Sequence, residues 1–322
     1  MEIIHHISMI LPEKIDLPND YNVVVCGQCG FSYADVLASQ EKYNTYYSHY
    51  NVYGKSTALK NEYDRYINEK RFALLKKYVS PNSHIIDLGC GNGSFLLFLK
   101  EHGFDNLVGL DPSRECIATL STQGIECYMG NIFDSVADKL KNAFDVVIFT
   151  DVIEHIYDLN LFISRCQMYS KFQGTLFIAA PDVEGFSRYM RKIPNYFNHE
   201  HINYFSLFSL DNLLCNYQFR RISNARESRV VLHCKTWVEK ELMAVYCKDN
   251  EKKLQLKKDL VSEKSINQYF EMVQDILNNK ISKFSQILND YDDVIIWGTG
   301  AYTSQLLVQY PELVRKVIFF CR

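Results

Sequence analysis

The 322-residue sequence has no apolar run long enough to cross a bilayer, and no cationic start followed by a sustained apolar segment. It also has no excess charge of one sign, because 35 Lys and Arg stand against 38 Asp and Glu, a formal net charge of −3. This balance gives no electrostatic argument for binding nucleic acid or an anionic membrane. We therefore expect a cytoplasmic protein without a membrane partner, which binds small molecules or proteins.

Cysteine is plentiful, but its spacing is not that of a disulfide framework. Of the ten cysteines, several fall inside segments with a regular apolar pattern: Cys90, Cys116, Cys127, Cys166 and Cys234. This distribution predicts reduced, mostly buried thiols. Cys26 and Cys29 differ, because they form a CxxC in "CGQCG" that is like one knuckle of a zinc site. A structural zinc takes four ligands, so this pair supplies half a site.

The middle of the chain alternates short apolar strands with helical segments. The predicted strands are 84–88, 106–111, 125–130, 144–150 and 174–180, and the predicted helices are 62–79, 92–102, 113–122, 135–142, 156–171 and 207–217. This alternation indicates βαβ units and therefore a parallel sheet. Two further segments, "FRRISNARE" and "RVVLHCKTWV", are expected to pair as an antiparallel hairpin that closes the edge of the sheet.

The ends of the chain differ from this pattern and suggest four regions. Residues 1–60 are irregular and hold a tyrosine-rich run, which is either a lid whose hydroxyls reach a ligand or ordinary packing: Tyr43, Tyr46, Tyr47, Tyr50 and Tyr53. Residues 61–238 form the α/β domain and 239–291 a charged helical linker with one apolar stripe. Residues 292–322 predict a strand, a turn with Gly298 and Gly300, a helix and the start of another strand. That incomplete βαβ unit is either truncated or completed by a partner.

"IIDLGCGNGSF" follows an apolar strand and opens a helix. Its glycines, Gly89, Gly91 and Gly93, allow the backbone to turn and to approach a ligand closely. The third glycine follows the second by two residues instead of three, and no Lys-Ser/Thr follows, so the loop is neither a dinucleotide fingerprint nor a P-loop. Asp111 ends the next strand, where a carboxylate can accept hydrogen bonds from both hydroxyls of a ribose. A ribose without a pyrophosphate is the ligand that this combination suggests.

In their order along the chain, these motifs resemble the class I S-adenosylmethionine-dependent methyltransferases over about residues 62–237. "IIDLGCGNG" matches the methionine and ribose side, "GLDPS" the ribose hydroxyls, "GNIFD" the adenine, and "FDVVIFTDVIEHI" the strand and loop beside the sulfonium. The resemblance implies an α/β fold, namely a seven-stranded, doubly wound, Rossmann-like sheet with an antiparallel last strand. It also implies S-adenosylmethionine as the cofactor and these cofactor-binding residues: Asp87, Gly89, Cys90, Gly91, Gly93, Asp111, Pro112, Asn131, Ile132, Thr150 and Asp151.

"FNHEHINYFS" follows the fifth strand, at the carboxyl ends of the parallel strands, where ligands bind in open α/β sheets. It resembles a loop of the sugar C-methyltransferases whose glutamate and second histidine contact and deprotonate the substrate. The resemblance makes Glu200 and His201 catalytic candidates, with His199 as a neighbour, and imidazole can take a proton near neutral pH. Asn198 stands where that subset has a tyrosine, so the same acceptor does not follow. The alternatives are a packing loop, or a metal site that methyl transfer to a hydroxyl does not need.

His155 lies in "DVIEHI", just after the fourth strand and beside the expected cofactor. Three roles are open for this catalytic candidate. It orients the acceptor, assists proton transfer, or caps the following helix.

The sugar C-methyltransferases also carry an N-terminal zinc region with two CxxC pairs and a C-terminal nucleotide-fold domain. Because Cys26 and Cys29 are the single pair here, we expect a metal-free knuckle, and zinc held between chains or with histidine help is the alternative. The leading hypothesis is a methyltransferase that acts on carbon or oxygen of a nucleotide sugar, in polysaccharide or natural-product biosynthesis. A methyltransferase for a non-sugar molecule such as a quinone, or an inactive cofactor-binding protein, are the alternatives. The sequence leaves the oligomeric state open.

Overall fold

The computed structural model describes residues 1–49, 62–134, 140–187, 196–231, 237–249, 256–298 and 301–321. The strands are β1 (Glu2–Ser8), β2 (Asp20–Val25), β3 (Ser32–Asp35), β4 (Ile85–Leu88), β5 (Leu107–Asp111), β6 (Glu126–Met129), β7 (Phe144–Thr150), β8 (Ser170–Pro181), β9 (Asn203–Tyr204), β10 (Phe219–Val231), β11 (Trp237–Lys248), β12 (Val294–Trp297) and β13 (Val317–Cys321). The helices are α1 (Gln40–His49), α2 (Glu62–Leu75), α3 (Ser94–Glu101), α4 (Arg114–Ser121), α5 (Leu159–Tyr169), α6 (Leu207–Cys215), α7 (Ser262–Asp290), α8 (Ala301–Gln309) and α9 (Pro311–Lys316).

Seven strands form one sheet in the order β10-β11-β8-β7-β4-β5-β6. β4 to β8 run parallel, and β11 is antiparallel to both of its neighbours. The predicted doubly wound sheet with an antiparallel last strand is confirmed. Each predicted parallel strand is present, with bounds that differ by a few residues, although the predicted helix at 135–142 lies mostly outside the described residues.

The sheet separates two apolar cores, because successive side chains of a strand point to opposite faces. In β7, Val147 and Phe149 lie in the core that α5 and α6 cover, whereas Val146 and Ile148 lie in the core beneath α2, α3 and α4. Strands buried on both faces need continuous apolar runs, which explains the composition of "FDVVIFT".

The antiparallel edge differs from the prediction. The second strand of the hairpin begins at Trp237 rather than near Arg229, and residues 239–248 continue this strand instead of opening a helix. Its side chains alternate between the two cores, with Leu242, Ala244 and Tyr246 in one and Met243 and Val245 in the other. A short, continuously apolar run fits a doubly buried strand as well as a helix, so its periodicity could not distinguish the two. The sheet therefore extends past the domain boundary expected at residue 238.

The N-terminal region is also more regular than predicted. β1, β2 and β3 form an antiparallel sheet with β9, in the order β1-β2-β3-β9. Because β9 belongs to the "HINYFS" segment, this sheet attaches the N-terminal region to the loop that holds the histidine triplet. α1 carries Tyr43, Tyr46 and Tyr47, whereas Tyr50 and Tyr53 lie outside the described residues.

The C-terminal region has one long helix and a small parallel sheet. α7 begins at Ser262, well after the predicted start at Glu239, and buries Ile266 and Leu288 of the expected stripe. β12 and β13 are parallel and are separated by α8 and α9, which matches the predicted strand-helix-strand order. Gly300 and Cys234 lie outside the described residues. Among the helices described, none has both the length and the apolar character needed to span a bilayer.

Candidate functional site

The predicted cofactor residues gather at one edge of the sheet. Asp87 lies in β4 and the glycine loop follows that strand. The other predicted residues end or follow their strands: Asp111 and Pro112 at β5, Asn131 and Ile132 at β6, and Thr150 and Asp151 at β7. These four strands are neighbours, in the order β7-β4-β5-β6. Their carboxyl ends therefore meet, which is where open α/β sheets bind ligands.

The glycine loop combines two tight contacts with one open position. Gly89, Gly91 and Gly93 have φ of +72°, +53° and +76°, a region that strains other residues. A Cβ on Gly89 would lie 2.6 Å from Val152, and one on Gly93 would lie 2.2 Å from Leu120. A Cβ on Gly91 would meet no described atom within 4 Å. Gly89 and Gly93 thus permit packing, and Gly91 lies where a ligand has room.

Asp111 is fixed by the backbone around it. One carboxylate oxygen accepts from the N–H of Gly91 at 2.8 Å, and the other accepts from the N–H of Ser113 at 2.8 Å. Burial raises the pKa of Asp111, and these two backbone hydrogen bonds oppose that shift. Each oxygen keeps a second lone pair, so the carboxylate can still accept hydrogen bonds from a diol.

Asp87 lies deeper, beneath the loop. Its side chain is buried, and within the described part of the chain no hydrogen-bond donor reaches its Oδ1. Burial raises the pKa of Asp87 to about 8, although the nearby Arg71 guanidinium acts in the opposite direction. A buried carboxyl with an unsatisfied oxygen is suited to a cationic group of a ligand.

Arg71 and Glu241 also lie at this site, although the sequence analysis did not predict them. Arg71 is buried on α2 and donates from Nη2 to Asp151 at 2.6 Å and to Glu241 at 2.5 Å. Asp151 itself has φ +56°, an uncommon conformation that this ion pair helps to hold. A signal was present, because Ile67, Arg71 and Leu75 are spaced by four residues and therefore share the buried face of the helix.

The residues predicted to lie near the adenine are ordered by local contacts. The N–H of Asn131 donates to Asp134 Oδ2 at 2.8 Å, and Asn131 Oδ1 accepts from the N–H of Phe133 at 2.8 Å. Ile132 is buried in the core. Cys90 is also buried, and its sulfur would lie 2.9 Å from a Cβ on Gly109, so Cys90 packs the loop onto β5.

The histidine triplet lies in a turn that Asn198 organises. Asn198 Oδ1 accepts from the N–H of Glu200 at 2.7 Å and of His201 at 2.9 Å, and Tyr21 donates to the Asn198 carbonyl at 3.0 Å. The asparagine that departs from the sugar-enzyme pattern therefore shapes the backbone of the loop. The N–H of Ile202 donates to the carbonyl of Glu154 at 2.9 Å, which joins this loop to the one after β7.

The structure brings His155 against the triplet. His155 Nδ1 lies 3.0 Å from the carbonyl oxygen of Glu200 and 2.9 Å from the hydroxyl of Tyr47. A carbonyl can only accept, so we assign the proton to Nδ1 and the lone pair to Nε2. Burial lowers the pKa of His155, although the negative charge of Glu200 acts in the opposite direction. The lowered pKa favours the neutral ring. The His201 ring centroid lies 4.8 Å away, at an interplanar angle of 73°.

His155 does not cap the following helix, so that alternative is wrong. Asp158 does so, because its side chain accepts from the N–H of Leu161 at 2.9 Å at the start of α5. The remaining roles for His155 are orientation of the acceptor and proton transfer.

The tyrosines of α1 contact the triplet with their hydroxyl groups. Tyr46 donates to Glu200 Oε1 at 2.5 Å and lies 3.0 Å from His199 Nε2. Tyr43 donates to the carbonyl of His199 at 3.3 Å. With Tyr47 on His155, three hydroxyls of one helix bind this region, so α1 covers the loop with polar contacts as well as by packing.

Two groups of side chains have metal-ligand chemistry. Ligand atoms of Glu154, His155 and His201 lie within 4.8 Å of one another. Cys26 and Cys29 lie in the turn between β2 and β3. No third His, Cys, Asp or Glu joins this pair in the described residues, so they offer two of the four ligands of a structural zinc.

Comparison with known proteins identifies relatives of this part of the chain. A family model described as "Methyltransferase domain" matches residues 60–224, slightly more than half of the chain. The ubiquinone biosynthesis O-methyltransferase of Bartonella quintana is 34% identical over 104 residues, which cover 30% of this chain and 41% of the relative. The EEF1A lysine methyltransferase 2 of Danio rerio is 39% identical over 75 residues, 22% of this chain and 32% of the relative. The chain thus matches less than half the length of these relatives.

Among solved structures, the 1,6-didemethyltoxoflavin-N1-methyltransferase of Burkholderia thailandensis has a TM-score of 0.47 and 16% identity. The match covers 70% of this chain and 98% of that one.

Proposed function

The chain belongs to the methyltransferase-domain family, and from this we propose that it methylates a small-molecule acceptor with S-adenosylmethionine at the carboxyl ends of the parallel strands. Asp111 would hold the ribose hydroxyls, Asp87 the ammonium group, and Gly91 leaves room for the methionine side. The cofactor supplies a methyl group that is already activated on a sulfonium. The chain must therefore position the acceptor and take its proton.

The observation that carries this proposal is the orientation of His155. Because its Nδ1–H donates to the carbonyl of Glu200, its basic Nε2 is fixed in one direction, beside Glu154 Oε1 at 3.7 Å and the ring of His201. His155 is thus better defined as the base than the predicted His201, for which we keep the role of acceptor contact. Glu200 acts through its carbonyl on His155 and through its carboxylate on Tyr46.

The acceptor class has two candidates. A phenol or quinol hydroxyl is supported by the similarity to ubiquinone biosynthesis O-methyltransferases. A sugar is supported by the likeness of "FNHEHINYFS" to the sugar C-methyltransferase loop and by the hydroxyl groups of α1 around it. An inactive cofactor-binding protein is the third outcome.

Radiolabelled S-adenosylmethionine and a panel of nucleotide sugars, dihydroxyphenols and quinols test these classes. Methyl transfer to one class, with mass spectrometry of the product, identifies the acceptor. If a keto sugar is methylated, deuterium wash-in at the adjacent carbon should occur, and its absence would argue for methylation at oxygen. Tight cofactor binding without turnover over the whole panel would contradict the catalytic proposal.

Cofactor binding should depend on pH through Asp87. Its raised pKa, about 8, leaves it mostly protonated at pH 6 to 7, and a bound ammonium favours the ionised form. Binding then releases a proton, so the Kd for S-adenosylmethionine is expected to fall by about tenfold from pH 6 to pH 7. Calorimetry at both pH values measures this change. Asp87→Asn should remove the pH dependence, and an equal Kd at both values in the wild type would refute the assignment.

Chelators should leave activity unchanged. We expect His155 Nε2 to accept a proton rather than to bind a metal, because transfer from a sulfonium needs no Lewis acid. Turnover is compared before and after dialysis against a chelator, followed by metal analysis. A loss restored by one divalent ion would instead assign Glu154, His155 and His201 as its ligands.

A further inference from the structure

The loop that holds the histidine triplet takes part in a chain of hydrogen bonds. The chain runs from His199 through the Tyr46 hydroxyl to Glu200, and donor and acceptor chemistry fixes its direction. We propose that His199 and Tyr46 are positioning residues that hold Glu200, so that the Glu200 carbonyl keeps the proton of His155 on Nδ1. This inference rests on the proposed role of His155 as a base. The sequence predicted His199 only as a neighbour of Glu200 and His201. Here His199 is the first donor of the hydrogen-bond chain that orients His155.

The direction of the chain follows from donor and acceptor chemistry. The carboxylate of Glu200 only accepts, so the single proton of the Tyr46 hydroxyl must point at Glu200 Oε1, 2.5 Å away. The Tyr46 oxygen can then only accept from His199 Nε2, 3.0 Å away, which places the His199 proton on Nε2. His199 Nδ1 is buried, and no described atom forms a hydrogen bond with it. A buried nitrogen lone pair without a partner destabilises the fold less than a buried N–H without a partner. The environments of Nδ1 and Nε2 therefore both favour the His199 tautomer with its proton on Nε2.

Glu200 is held at each end of the residue. Tyr46 binds its carboxylate, and Asn198 Oδ1 accepts its backbone N–H at 2.7 Å. The peptide whose carbonyl lies 3.0 Å from His155 Nδ1 carries the N–H of His201, which also donates to Asn198 Oδ1, at 2.9 Å. Tyr46 and Asn198 together therefore hold the residue on both sides of this carbonyl. If the side chain were released, Asn198 alone would hold this turn, and we expect the carbonyl to shift from the Nδ1–H, whose tautomer it selects.

The helix α1 contacts both Glu200 and His155. Tyr46 and Tyr47 are adjacent on the helix, and they contact Glu200 and His155 respectively. A purely structural role, in which the tyrosines attach α1 to the loop, is the competing explanation. That role would change stability when the contact is lost, but it would not change which nitrogen of His155 carries the proton.

The test compares four variants of the full chain. His199→Ala removes the first donor of the chain, Tyr46→Phe removes its middle hydroxyl, His199→Gln keeps an N–H donor, and Tyr43→Phe is the matched control for the tautomer. Tyr43 lies on the same helix and binds the carbonyl of His199, so its hydroxyl is outside the chain. Nitrogen-15 NMR of the histidine rings reports the tautomer of His155, and steady-state kinetics report kcat, KM and the pH profile.

Tyr46→Phe and His199→Ala are expected to lower kcat by about tenfold to 100-fold with little change in KM for the cofactor, because a misplaced reacting group costs rate rather than donor binding. They should also shift His155 toward the Nε2–H tautomer and move the acidic limb of the pH profile. That limb reflects His155 and the charged or titratable groups that face it: Asp151, Glu154, Glu200, His201 and Tyr47. His199→Gln should restore the wild-type behaviour, and Tyr43→Phe should keep the wild-type tautomer of His155.

An unchanged His155 tautomer in Tyr46→Phe would overturn the inference, as would an equal shift of that tautomer in Tyr43→Phe and Tyr46→Phe. The NMR measurement needs no acceptor. A protein that methylates nothing on the panel would therefore contradict the proposed function, while the tautomer in Tyr46→Phe would still decide whether the chain positions His155.

Discussion

Asp111→Ala is expected to weaken the binding of S-adenosylmethionine by at least about 100-fold. Each hydrogen bond from a ribose hydroxyl to a carboxylate contributes about 1.5–3 kcal/mol, and the substitution removes the acceptor of both. Two such bonds correspond to about 3 kcal/mol or more, which is a factor of about 100 in Kd. Isothermal calorimetry with the cofactor and with its demethylated product measures both affinities.

Asp111 also contacts the loop, so the substitution needs a control for structure. The N–H groups of Gly91 and Ser113 both lose their acceptor in Asp111→Ala. Asp111→Asn keeps one carbonyl oxygen and an amide of the same shape, and it should bind with intermediate affinity. Circular dichroism and thermal melting verify that each variant is folded. A folded Asp111→Ala protein with the wild-type Kd would exclude the glycine loop as the cofactor site.

The position of the proposed cofactor residues in the fold was predictable because they are local in the sequence. Gly89, Gly91 and Gly93 occur within five residues, and Asp111 ends the next strand along the chain. A parallel sheet brings the carboxyl ends of neighbouring strands together, so the strand order is enough to assemble these residues. Each of them lies at the predicted edge.

The remaining parts depend on contacts between distant segments. The edge strand β11 was missed because "ELMAVYC" is apolar on both faces, and Glu241 at its start pairs with Arg71, 170 residues earlier. The partners of Glu200 and His155 were not predictable for the same reason. Tyr46 and Tyr47 lie more than 100 residues before them, on a helix in a region that the sequence suggested was irregular. Periodicity reports which face of an element is buried, but not which element covers it.

His155 lies between the proposed cofactor residues and the histidine triplet. The substitution His155→Gln is expected to lower kcat by about 100-fold to 10,000-fold. General-base catalysis contributes this range, and the amide of glutamine cannot take a proton at neutral pH. The donor site is intact in this variant, so the Kd for the cofactor should change little. Single-turnover rates with the acceptor found in the panel separate the chemical step from product release.

The pH profile of the wild type provides a second measurement of the same residue. A base works only when it is unprotonated, and burial lowers the pKa of His155 below its ordinary value of 6.5. The rate should therefore stay on its plateau as the pH falls through 6.5 and should decline only at more acidic pH, where Nε2 becomes protonated. In His155→Gln this acidic limb should disappear.

His84→Gln is the matched control, since His84 is exposed at the opposite, amino end of the parallel strands, just before β4. It should keep both the wild-type kcat and the acidic limb. If His155→Gln also keeps both, His155 is not the base, and the next candidate is His201, whose ring lies edge-on to that of His155 with the centroids 4.8 Å apart. A loss of kcat and of the acidic limb in His201→Gln would then identify His201 as the base.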